Sequence, residues 1–134
     1  MSDEQLDRAA LDGRIQRAAS EKGGELVLRG FGRDAVSFDA EELAAALGAG
    51  GEAARALTAL NVNSNDIGDA GMAALAAALA GGACPGLTAL DVYDNSIGDA
   101  GMAVLAQVLV GGAGLLLCAA FVGGQAYALF DKVR

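Results

Sequence analysis

The fold class this sequence predicts is α/β: a repeat solenoid with short parallel strands on one face, helices on the other, and a helix capping its N-terminal edge. Three observations carry that expectation. Residues 57–86 and 87–116 align without a gap and share 19 of 30 positions. Inside each copy, apolar residues at a period of two give way to apolar residues at helical spacing. Finally, a fixed period of roughly 20–50 residues marks architectures in which each unit buries its apolar face only against its neighbours.

Residues 1–22 read as an amphipathic capping helix. Ser2 and Gln5 stand at capping-box spacing, Asp3 and Glu4 suit the first turn, and Gly23-Gly24 ends the segment. Leu6, Ala10 and Ile15 supply a thin apolar stripe. Residues 23–56 form a divergent first unit. There "ELVLRGF" offers a strand with Leu26 and Leu28 inward, and "FDAEELAAALGAGG" a helix with Asp39 as cap and Leu43 and Leu47 inward.

Residues 57–86 and 87–116 are the two clear units. Leu57, Leu60 and Val62 fit a short strand, repeated by Leu87, Leu90 and Val92. Asp69 and Asp99 then stand where a helix N-cap belongs. Met72, Leu75 and Leu79, like Met102, Leu105 and Leu109, share one helical face. "AGG" and "VGG" stop the helices, since glycine is favoured at a left-handed C-terminal cap. Residues 117–134 make a degenerate or truncated terminal unit. The 30-residue register lays Leu117, Ala120, Val122, Gln125 and Tyr127 over Leu87, Leu90, Val92, Asn95 and Ile97, and leaves no room for a helix before Arg134.

The pattern Leu-x-x-Leu-x-Val-x-x-Asn-x-Ile, then Gly-Asp-Ala-Gly, then helically spaced leucine, resembles the leucine-rich repeat family over residues 57–113. The length of the unit is similar to that of the ribonuclease-inhibitor-like class. The resemblance implies that Asn65 and Asn95 lie inside the turns and hydrogen-bond backbone groups of adjacent units. It also implies that outward strand positions form a protein-binding surface: Asn61 and Asn63, then Asp91 and Tyr93, with Arg29 (beside Val27) before them and Phe121 after them. Tyr93 is the best single anchor, because tyrosine combines contact area with few rotatable bonds. Noncovalent protein binding or scaffolding, without a cofactor, is the function this implies. Repeats of this class also occur in immune sensors and activators of small GTPases, but no residue here carries over such a role.

Composition narrows the alternatives. The chain has 134 residues, enough for one domain, with 54% apolar residues of which only six are aromatic. Its net charge of −8 argues against a nucleic-acid or anionic-membrane surface. Histidine is absent, which removes the commonest general base and zinc ligand. Without it the familiar triads cannot be assembled. Cys84 and Cys118 form no CxxC pair and read as buried free thiols, with a disulfide between them as the alternative.

The Asn61–Asn63–Asn65 alternation suggests a calcium loop, but the sixth and twelfth positions are Asp66 and Met72 instead of glycine and glutamate. The glycines around Asp69 and Asp99 lack phosphate-loop spacing, and acids at helix starts repel phosphate. Asp91 and Asp94 lie on an open face, without a cleft to tune a carboxylate pair. The acidic N-terminus shows no secretory pattern, which points to a cytoplasmic or nuclear protein.

A rival reading rests on the uncharged stretch from Ala103 to Phe130, long enough to span a bilayer. Its first part is claimed by a repeat helix, and glycines with Gln107 and Gln125 interrupt the remainder. The rival is a membrane-tethered repeat protein; a fragment of a larger receptor or regulator is another. Another protein is the expected partner, and self-association through a solenoid end is the other contact the sequence permits.

Overall fold

The computed structural model describes residues 4–32, 35–92, 94–110, 116–122 and 125–127, with backbone alone for residue 4 and beyond residue 107. The chain begins with a strand, β1 (Glu4–Leu6), and then a helix, α1 (Arg8–Glu21). This corrects the expected helix start at Ser2 and Gln5. Gln5 lies in β1, where its Oε1 accepts from Ser37 Oγ at 2.8 Å. Asp7 is the actual N-cap; its carboxylate accepts from the Ala10 N–H at 2.9 Å.

The physical reason is long-range pairing. β1 lies parallel to β3 (Val36–Phe38), with Leu6 opposite Phe38, and Leu6 is buried. Strand pairing gives residues 4–6 backbone partners that a frayed first helical turn lacks. The buried face of α1 is Leu11, Ile15 and Ala18, at helical spacing, while Ala10 is half-buried.

The repeat follows. β2 (Glu25–Val27), β4 (Ala59–Asn61), β5 (Ala89–Asp91), β6 (Leu116–Val122) and β7 (Gln125–Tyr127) form one sheet in the order β2-β4-β5-β6-β7. The first four are mutually parallel, and β7 runs antiparallel to β6. Register places Leu26, Leu60 and Leu90 opposite one another, and all three are buried. Removing such a leucine to alanine typically costs about 2–5 kcal/mol, through lost transfer energy and the cavity left behind.

Helices α2 (Ala40–Ala49), α4 (Gly68–Ala80) and α5 (Asp99–Val110) lie side by side, with α4 in the middle. α2 starts as the sequence predicts: the Asp39 carboxylate accepts from the Glu41 N–H at 2.9 Å, and Leu43 and Leu47 are buried. A short helix not foreseen, α3 (Gly51–Arg55), follows because Gly51 takes a left-handed φ of +58° and restarts the turn. It buries Ala53 and Ala54, and α1 packs on both α2 and α3. The result is an α/β repeat fold with parallel strands joined through helices.

Beyond α5 the 30-residue register fails. Leu117 pairs with Leu90, not Leu87, and Ala119 pairs with Asp91 after a register irregularity. Gln125 and Tyr127 belong to β7 instead of occupying the turn and core positions of a further unit. The physical cause is the missing Asn-x-Ile-Gly-Asp corner: with nothing to turn the chain into a helix, β6 folds back as an antiparallel pair. The apolar stretch thus supplies strands, and among the described residues no helix is long and apolar enough to cross a membrane.

Candidate functional site

The outward row of the sheet is set by strand register. Val27, Asn61 and Asp91 stand opposite one another on β2, β4 and β5, each half-buried and flanked by the inward leucines. The next place in that row belongs to Ala119. Phe121 instead lies further along β6, opposite Ala126 of β7, which corrects its assignment as the following row position. Tyr93 lies outside the described residues.

Arg29 is exposed just beyond β2, and its guanidinium carbon sits 5.8 Å from the centroid of the Phe31 ring. That distance suits a cation–π contact. Phe31 is 53% exposed, a large apolar group that the sequence reading passed over. A signal was present in "LRGF": a phenylalanine just beyond a strand end, spaced two from an arginine.

Asn63 does not belong to the open row. It is only 8% exposed, which corrects its expected outward position. The chain bends directly after β4: the Asn61 Oδ1 accepts from the Asn63 N–H at 3.1 Å, an Asx-turn that pulls residue 63 off the sheet. Asn63 Nδ2 then donates to Asp91 Oδ2 at 3.4 Å, while its buried Oδ1 meets no hydrogen-bond donor among the described residues.

The turns are built around Asn65 and Asn95. Ser64, Asp66, Asp94 and Ser96 all have φ between 54° and 62°. Each asparagine is therefore flanked on both sides by left-handed residues, a conformation that short polar side chains tolerate better than most. This corkscrew exposes several carbonyls to the inside of the turn. Asn95, 0% exposed, answers them with both ends of its amide. Its Nδ2 donates to Val62 O at 2.9 Å and Val92 O at 3.1 Å. Its Oδ1 accepts from the N–H groups of Asn65 at 2.8 Å and Ile67 at 3.3 Å. Asn65 repeats half of this, with Nδ2 donating to Leu28 O, Val62 O and Asn63 O. Each side chain ties its own turn to the unit before it.

Asp69 and Asp99 also depart from the expected N-cap role. Asp69 is not the cap of its own helix: α4 starts at Gly68, preceded by Ile67, with no side-chain cap. Instead its carboxylate reaches forward to the next unit, where Oδ1 accepts from the N–H groups of Gly98 at 2.6 Å and Gly101 at 3.1 Å. It satisfies two donors at the start of α5 and places negative charge at the positive end of that helix. Gly101 has to be glycine for this: a Cβ there would lie 2.6 Å from Asp69 Oδ1 and 2.5 Å from Ile97 Cγ2. Asp99, the equivalent residue one unit on, is the exposed first residue of α5.

Chemically this surface is a set of polar contacts with little reactive character. Asp91 accepts from Asn63, and Asp94 Oδ2 accepts from Ser64 Oγ at 3.2 Å, so both carboxylates are tied to the preceding unit. Among the described residues no group of three or more acidic or thiol side chains could hold a metal ion. Cys84 is a buried free thiol, pushed up to about 11 by desolvation. Such a thiol is a poor nucleophile near neutral pH.

Residues 54–76 and 83–106 match the leucine-rich repeat family model. These two segments cover β4 with most of α4, and β5 with most of α5, so both units are similar to leucine-rich repeats. Repeats of this family serve in general as protein-interaction modules. No curated protein matches the chain.

Proposed function

We propose that this protein is a leucine-rich-repeat solenoid of the ribonuclease-inhibitor-like class that binds another protein noncovalently through its outward strand face. The observation that carries the proposal is the aligned row Val27–Asn61–Asp91, continued at the N-terminal side by Arg29 and Phe31. Its residues vary in chemistry between units while the inward leucines do not, as expected where one face is constrained by packing and the other by a partner. Between Ala56 and Phe130 the chain carries five aspartates and no lysine or arginine. The partner that suits this part of the row therefore carries positive charge. The Arg29–Phe31 pair offers a separate contact of mixed character, apolar and cationic.

In this reading residues 1–22 cap the N-terminal edge, residues 23–56 are a divergent first unit, and residues 117–134 are a degenerate or truncated terminal unit. The function is scaffolding, without cofactor or catalysis, in the cytoplasm or nucleus. Asp91→Lys and Phe31→Ala variants, each compared with wild type by affinity capture and quantitative mass spectrometry, test it. At least one captured protein should fall several-fold with each variant while circular dichroism and melting temperature stay unchanged. Equal capture of every protein by folded variants would overturn the assignment of the strand face.

A further inference from the structure

We draw no further inference here: the strongest candidate, the polar side-chain cluster of Asn63, Ser64, Asp91 and Asp94 at the ends of β4 and β5, belongs to the strand face already described, and nothing in the structure shows what covers it.

Discussion

The units 57–86 and 87–116 use nearly the same words in different surroundings. Asn95 has a complete unit on its N-terminal side and is fully buried, with both ends of its amide engaged by the unit before it. Asn65 faces the divergent unit of residues 23–56, and it is half-buried, with its Nδ2 meeting Leu28 O, Val62 O and Asn63 O. The aspartates differ in the other direction: both are exposed, but Asp69 accepts from two N–H groups at the next helix start, while Asp99 is followed by no further helix among the described residues. Identical residues thus acquire their roles from the neighbouring unit, and two copies of one phrase are not equivalent parts.

The largest test of that difference is Asn95→Ala. It strands carbonyls and N–H groups of two units in a buried site, and should cost about 3 kcal/mol. Asn65→Ala should cost about 1–2 kcal/mol, since its site is partly open to water. Urea midpoints at constant m-value measure both, and equal losses would erase the distinction drawn between the turns. Next comes Gly101→Ala, where the new methyl meets both Ile97 and Asp69; an overpacking cost of about 2 kcal/mol is expected. Gly98→Ala brings its methyl to 3.3 Å from a carboxylate oxygen of Asp69, tight but relieved by a shift of a few tenths of an ångström, and should cost less.

Asp69→Ala should lower stability by about 1 kcal/mol and raise amide exchange at Gly98 and Gly101, residues of a different unit. Asp99→Ala should fall within about 0.5 kcal/mol of wild type. A larger loss for Asp99 than for Asp69 would reverse the comparison. The smallest effect concerns Cys84. Its pKa is raised from 9.0 to about 11, so the folded state holds the proton more tightly than the unfolded state. The resulting stability is complete below pH 9 and is lost as pH rises towards 11. Denaturant titrations between those values should show a downward slope that is shallower in Cys84→Ala. An identical slope would assign it elsewhere.

Much of the repeat was legible because local patterns report local structure. Leu60 and Leu90 are buried on their strands, and Asp39 caps α2, since alternation and capping act within a few residues. What was hidden depended on partners far along the chain. β1 is three residues long and exists only through β3, more than thirty residues later. Asp69 looks like its own helix cap until the next unit is laid beside it, although the glycines at 98 and 101, spaced like those at 68 and 71, were the available signal. In the candidate site, Asn61 and Asp91 fell on the outward row as strand alternation predicts. Asn63 did not, because an Asx-turn ends the strand one residue before alternation would notice. Phe121 was displaced because alignment by period assumes the corner that residues 117–134 lack.

The forward reach of Asp69 and the backward reach of Asn95 together give the fold a direction in time. A chain made from its N-terminus displays the Asp69 carboxylate, and the carbonyl of Val62, before the residues that will bind them have been synthesised. Each new unit meets a finished template and needs only to lay its turn and helix start upon it. Growth from the other end would find neither the carboxylate for the helix nor the acceptor for the amide, so the N-terminal units should order first and the later ones should follow them.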